Sequence, residues 1–179
     1  MEKQGFRSVE SGIYAGDEFI TFSEVKIFDR SMKLYLPDLF IDMPEEFRKA
    51  KYISANCPDI LKSDIKGEVV FSFQIIDQKL SESEEKPSIK RFWQILKSAQ
   101  PYNLFLENGV VTGENIDIAW MDYKGYGIDQ SFYQLVYVLP VKGCMMLGTF
   151  HCPFYKMENW KPVIKEIMKT IYSIDTEEA

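Results

Sequence analysis

Apolar and polar residues alternate in several short runs of the chain, and this period of two is typical of half-buried β-strands. Residues 68–76 show the pattern clearly, because alternate positions place two different sets of side chains on opposite faces of one strand. The first set is Val69, Phe71, Phe73 and Ile75, and the second is Val70, Ser72, Gln74 and Ile76. Residues 19–28 and 31–36 flank Asp29 and Arg30, and this pair of runs predicts a β-hairpin.

The same period continues through the second half of the chain. The strand-like runs there are residues 104–106, 110–112, 116–123, 131–141 and 143–152. Turn-forming residues separate them at positions 107–109, 112–115, 124–127 and 140–143. Successive short strands with turns between them predict a meandering antiparallel sheet.

Three helices are predicted, one from its capping residues and two from apolar stripes. Asp42 as N-cap, with Pro44 and Glu45 in the first turn, predicts a short helix through Ala50. A middle helix opens at Pro87 and ends near residue 99, with a stripe of Ile89, Phe92, Trp93 and Leu96. A terminal helix begins near residue 159 and tolerates Pro162 in its first turn, with a stripe of Trp160, Val163, Ile164, Ile167, Met168, Ile171 and Ile174.

The terminal stripe decides the predicted architecture. Each buried aliphatic side chain contributes roughly 1.5–3 kcal/mol, so five or six left in water would cost more than the stability of a small domain. The terminal helix must therefore lie across the sheet, which predicts an α+β fold with an antiparallel sheet flanked by helices. The predicted domain is a single one over residues 19–174, with an N-terminal extension (1–18) and a C-terminal tail (175–179).

Charge and apolar content narrow the classes of function. The 179 residues carry a net charge of −6 with 46% hydrophobic residues, so the chain folds as a globular domain and is a poor match for nucleic acid. Its longest apolar stretches, residues 135–141 and 144–147, fall short of the ~20 residues that span a bilayer. No export signal precedes residue 18. These features predict a cytoplasmic protein without a membrane span.

The cysteine content agrees with that compartment. Three cysteines, Cys57, Cys144 and Cys152, are an odd number and favour reduced thiols. On one continuous strand, Cys144 and Cys152 would lie ~26 Å apart, beyond the reach of a disulfide.

Candidate catalytic groups are few. His151 is the only histidine, and adjacent side chains on a strand point to opposite faces, so His151 and Cys152 do not form a dyad. The cysteines and His151 lack the paired spacing of zinc sites, and the familiar catalytic and nucleotide-binding motifs are absent. The sequence therefore predicts no enzyme activity, no cofactor and no metal site.

Aromatic and methionine residues are dense in the late strands, and alternation divides them between two faces. If the helices leave part of one face uncovered, the remaining side chains form an adaptable groove for a protein segment. Trp120, Tyr133 and Tyr137 are the predicted partner-binding residues, since tryptophan and tyrosine are typical of binding hot spots.

The order of elements resembles the PsbP-like superfamily over about residues 19–174. The resemblance rests on residues 34–37 (LYLP) with the short helix after them, the middle helix, the late hairpins, Gly148-Thr149-Phe150, Cys152-Pro153, and Trp160 opening a helix that ends at residues 171–174 (IYSI). The superfamily includes a photosystem II extrinsic subunit, a Ran-binding nuclear import factor and chaperones of type VI secretion effectors. The resemblance implies an α/β/α sandwich that acts by binding another protein, generally without catalysis. No contact residue of those members matches one for one, so the resemblance assigns no site.

Three hypotheses of function follow. The first is a non-enzymatic adaptor or chaperone-like module that binds a protein or peptide through the aromatic-rich sheet face. The second is a small-molecule-binding protein or minor enzyme with a pocket near His151 or Cys57. The third is a structural protein that self-associates through an exposed sheet edge or the same face.

Overall fold

The computed structural model describes residues 7–52, 57–81 and 83–174. Its strands are β1 (Arg7–Ser8), β2 (Gly12–Ala15), β3 (Glu18–Ile20), β4 (Phe22–Ile27), β5 (Met32–Pro37), β6 (Ile41–Asp42), β7 (Ile60–Ser63), β8 (Val70–Lys79), β9 (Leu104–Thr112), β10 (Asp117–Tyr126), β11 (Ser131–Val141), β12 (Cys144–Pro153) and β13 (Tyr172–Ser173). Its helices are α1 (Glu45–Lys51), α2 (Glu85–Ala99) and α3 (Met157–Lys169), with a 3₁₀ turn at Phe154–Lys156 before α3.

The alternating runs of the sequence pair into one large antiparallel sheet. Its seven strands lie in the order β6-β7-β8-β12-β11-β10-β9. The late strands form the predicted meander, in which β10 pairs with β9 and β11, and β11 pairs with β12. Strand β12 then pairs with β8, which comes from the first half of the chain. This pairing joins the two halves into one α+β unit.

Two small sheets accompany the large one. The predicted hairpin is confirmed as β4 and β5, with Ile27 opposite Met32 and β13 added at the other edge of β5. Strands β1, β2 and β3 form the second small sheet. Val9 from the β1–β2 turn and Ile13 and Ala15 from β2 are buried in the main core, so the folded unit includes residues that the sequence assigns to an N-terminal extension.

Helix α3 lies on one face of the large sheet, as its stripe predicts. Trp160, Val163, Ile164, Ile167 and Met168 are buried. They pack in one core with alternate residues of β8, β10, β11 and β12 and with residues of the small sheets. This core holds Phe71 and Phe73 from the first half of the chain, so the predicted helix-on-sheet packing is confirmed.

Two other helices cover parts of the opposite face. Helix α2 packs Ile89, Phe92, Trp93 and Leu96 against β10 and β11, over a core that includes Met121 and Val138. The segment around α1 covers the other side, where Phe47 packs near Met43, Leu61 and Val70. Between these two covered regions, no element of the described part of the chain covers the sheet face.

Three local predictions need correction. Asp42 lies in β6 and pairs with Lys62 at 2.7 Å, so Pro44 takes the N-cap position of α1 without a side-chain cap. Residues 107–109 continue β9 instead of forming a turn, and the pairing of β9 with β10 shifts register where it passes Asp122. Helix α2 starts at Glu85, two residues before the predicted start at Pro87.

Within the described residues, no helix is long and apolar enough to cross a membrane. Cys57, Cys144 and Cys152 are all free thiols. Cys144 and Cys152 lie near the two ends of the one continuous strand β12, which is the premise of the distance predicted between them.

Candidate functional site

The predicted partner-binding residues lie in the core under α3. Trp120 is 4% exposed, Tyr133 0% and Tyr137 2%. All three belong to the face that α3 covers, because strand alternation places them on that side of β10 and β11. The prediction that they contact a partner directly therefore does not fit this structure, because a partner cannot reach their side chains.

Each of the three has a role in the fold. The ring of Tyr137 lies across β12 at Gly148, where it leaves no room for a Cβ atom. Trp120 is covered by the amines of Lys161 and Lys165, 5.5 and 4.6 Å from its ring centre. Tyr133 donates a hydrogen bond of 2.7 Å to the buried carboxylate of Asp122.

The Asp122 carboxylate is fully partnered. Its second oxygen accepts a hydrogen bond from the Glu107 backbone N–H at 2.7 Å, and Lys161 Nζ lies 2.6 Å from Oδ2. Burial, followed by the charge of Asp122, raises the pKa of Tyr133 far above its usual range. Asp122, Tyr133 and Lys161 therefore form a satisfied internal network that ties α3 to the sheet.

The open part of the sheet face forms a cleft of ≈ 800 Å³, which we call the outer cleft. Its floor is built by β8, β12 and β11, and its walls by the end of α1, the β7–β8 turn and the β10–β11 loop. The floor residues are Ser72, Gln74, Gln134, Leu147, Thr149 and His151. The cleft has the size of a typical ligand site.

Strand pairing explains why polar residues gather on this floor. Ser72 lies opposite Thr149, Gln74 opposite Leu147, and His151 opposite Gln134. Side chains at directly paired positions point to the same face of a sheet. The polar positions of three strands therefore share one face, while their apolar neighbours on the same strands face α3.

His151 has an unusual environment on this floor. Burial lowers the pKa of His151 to about 4, with a smaller contribution from the charge of Lys51. At neutral pH its imidazole is therefore uncharged and offers one N–H donor and one nitrogen acceptor. A group with this pKa is a poor general base or acid near pH 7.

Cys152 and Cys57 each have surroundings that do not pair them with His151. The Cys152 side chain lies in the α3-side core, and burial raises the pKa of its thiol to about 12. Cys57 lies beside the outer cleft near Tyr52, and its sulfur accepts a hydrogen bond from Arg48 Nε at 3.0 Å. The structure thus separates His151 from Cys152, as alternation predicts.

The charges around the cleft are largely paired or balanced. The Lys51 amine donates to the Gly67 carbonyl oxygen, and burial lowers the pKa of Lys51. Glu68 accepts from Lys156 at 2.8 Å, and this contact is the main cause that lowers the pKa of Glu68. Lys66 and Asp129 add one charge of each sign at the rim.

The side chains of the outer cleft can bind a ligand that has polar and apolar groups. A neutral histidine, two amides and two hydroxyls can hydrogen-bond a polar ligand, and the Phe132 and Leu147 side chains offer apolar contact. The described residues contain no group of three or more metal-ligating side chains. The rim also carries Ile128, whose side chain is fully exposed on the β10–β11 loop.

Sequence reasoning missed the outer cleft, although part of its signal was available. The alternation of residues 68–76 already places Ser72 and Gln74 on the face away from the main apolar set. The missing information was strand order. Only the insertion of β12 between β8 and β11 brings these residues beside Thr149, His151 and Gln134.

Comparison with known proteins identifies the fold. No family model matches the chain, and no curated protein matches its sequence. Cyanobacterial PsbP (CyanoP) from Synechocystis sp. PCC 6803 is similar with a TM-score of 0.59 and 10% identity, over 89% of this chain and 96% of that one. The Saccharomyces cerevisiae Ran-binding protein Mog1p is similar with a TM-score of 0.53 and 8% identity, over 87% and 97%. The chain therefore has a PsbP-like α+β fold, and the resemblance stated from the sequence is confirmed at the level of fold.

Proposed function

We propose that this protein is a non-enzymatic binding module, of an adaptor or chaperone-like kind, that holds a segment of a partner protein in the outer cleft. The observation that carries the proposal is the gap between α1 and α2, where the described residues leave a sheet face with hydrogen-bonding groups uncovered. The solved structure of similar fold that is called Ran-binding offers an analogy for protein binding. The three free thiols support a cytoplasmic setting as part of the same proposal.

The electrostatics of the cleft support binding over catalysis. His151 stays uncharged at neutral pH because of its lowered pKa, and the Cys152 thiol is buried on the other face. The described cleft residues thus offer no nucleophile paired with a base, which covalent catalysis requires.

The rim residue Ile128 provides a sharp test. Its side chain is fully exposed beside the cleft, whereas Ile95 is 55% exposed on α2, outside the cleft lining. We expect Ile128→Asp to reduce capture of a specific partner from a source lysate at least about tenfold, since a charge replaces an apolar contact. Ile95→Asp is the matched control and retains the partner.

Both variants should melt within about 2 °C of the unmodified protein, because exposed substitutions change stability little. Equal loss of the partner from both variants, or no protein retained specifically by the unmodified chain, would contradict the proposed site.

A small-molecule ligand in the same cleft is the second candidate, favoured by its volume of ≈ 800 Å³ and by the unshared hydrogen-bonding groups of His151. This candidate predicts that His151→Ala abolishes binding in a ligand screen by thermal shift. A screen whose hits stabilise both proteins equally argues against it.

A further inference from the structure

The floor of the outer cleft carries side chains that are both donors and acceptors. Within the described chain, the side chains of Gln74, Gln134 and His151 form no hydrogen bond. Each amide offers a carbonyl oxygen and an NH₂ group, and the neutral imidazole offers one N–H and one bare nitrogen. By contrast, Ser72 and Thr149 already bond each other across β8 and β12.

The hydrogen-bonding character of these groups points away from charged ligands. Carboxylates and phosphates are bound by sites rich in donors and cations. In the outer cleft, the Lys51 amine is held by the Gly67 carbonyl oxygen, and Glu68 is held by Lys156. The remaining rim charges, Lys66 and Asp129, offset each other.

Apolar contact is available beside these polar groups. Phe132 and Leu147 are partly buried against the α2-side core and line the cleft. Ile128 adds an exposed apolar side chain at the rim. A ligand that uses the whole site therefore combines hydrogen-bonding groups of both kinds with an apolar group.

We infer that the outer cleft recognises an extended, uncharged polypeptide segment. Its backbone amides bond Gln74, Gln134 and His151, and one apolar side chain packs against Phe132, Leu147 and Ile128. A peptide group carries one donor and one acceptor, which matches the unused groups of the floor. This inference rests on the proposed function and names the chemistry of the partner segment.

A phage-displayed library of random linear peptides tests the inference on the intact chain. We expect the unmodified protein to enrich sequences that are depleted of aspartate, glutamate, lysine and arginine relative to the input library and that share one apolar position. The Ile128→Asp variant should fail to enrich the same sequences. Enrichment of acidic or basic sequences, or no enrichment over the naked support, would overturn the inference.

One enriched peptide is then titrated against two matched variants. Gln134→Leu removes a floor amide, and we expect the affinity to fall about tenfold, because bonds to the peptide are lost. Gln94→Leu changes an exposed glutamine of α2 and leaves the affinity within about twofold. The affinity of the unmodified protein for the peptide should also change less than about threefold between 50 and 500 mM salt, because the peptide forms no ion pair with the cleft. Equal affinity for Gln134→Leu and the unmodified protein refutes the assigned floor contact.

The two proposals can fail separately. If a lysate partner depends on Ile128 while the library yields only charged peptides, the cleft binds a partner but its assigned chemistry is wrong. If neither assay depends on Ile128, the cleft itself is not the binding site.

Discussion

At the residue scale, the lowered pKa of His151 on the floor of the outer cleft makes the stability of the folded chain depend on pH. Its pKa in the folded chain is lowered from 6.5 to about 4, so the unfolded chain binds a proton between these values while the folded chain does not. The contribution of neutral His151 is therefore fully present above pH 6.5 and is lost as the pH falls toward 4. From pH 7 to pH 5 this loss amounts to about 2 kcal/mol.

We predict that His151→Gln, which cannot be protonated, removes this part of the acid sensitivity. Urea unfolding of both proteins at pH 7 and pH 5 measures it. Carboxyl groups with lowered pKa values, such as Glu68 and Asp38, contribute equally to both proteins, so the difference between the two pH dependences reports His151. If the free energy of unfolding changes with pH by the same amount in both proteins, His151 is not held uncharged in the folded chain.

The predicted and observed site residues also differ at this scale. The prediction of Trp120, Tyr133 and Tyr137 rests on residue type, yet residue type does not tell which face of a strand a helix covers. The face was predictable within each strand, as the division of Ile118 and Trp120 from Met121 confirms. Whether α3 or solvent covers that face depends on tertiary packing.

At the element scale, α3 is the main support of the floor. Its buried stripe packs against the inner face of the strands whose outer face builds the cleft. Ile167 is 2% exposed at the centre of this stripe. A carboxylate there would be buried without a partner.

We predict that Ile167→Asp lowers the free energy of unfolding by more than about 3 kcal/mol, enough to leave little folded protein. Ile95→Asp makes the same chemical change at an exposed helix position and should cost less than about 1 kcal/mol. Circular dichroism during urea titration measures both. A normal unfolding midpoint for Ile167→Asp would contradict the packing of α3 on the sheet.

The boundaries of the helices were harder to predict from neighbouring residues than their apolar stripes were. The stripe of α2 was predictable because Ile89, Phe92, Trp93 and Leu96 recur at helical spacing. The start of α1 was not, because the Asp42 carboxylate pairs with Lys62 across β6 and β7. A tertiary contact of this kind is invisible to a capping rule that considers only neighbours in sequence.

At the scale of the whole molecule, strand order creates the site. Alternation predicts the faces of β8, β11 and β12 separately, but β8 is separated from β11 and β12 by α2 and two further strands in sequence. Their pairing depends on contacts between distant parts of the chain. The fold class was therefore accessible from the sequence together with the family resemblance, whereas the outer cleft was not.

Self-association through a sheet edge stays a prediction. Strand β9 is one edge of the large sheet, and its register shifts where it passes Asp122. Such irregularities disfavour edge-to-edge pairing. The structure thus gives more support to binding in the outer cleft than to this alternative.

Site-specific photo-crosslinking tests the central claim most directly. A photoreactive phenylalanine analogue replaces Ile128 in one protein and Ile95 in another, and each is irradiated with the captured partner. The account predicts a crosslinked product from position 128, at least about tenfold more abundant than from position 95. Crosslinking that is equal at both positions, or confined to position 95, would show that the partner binds outside the outer cleft.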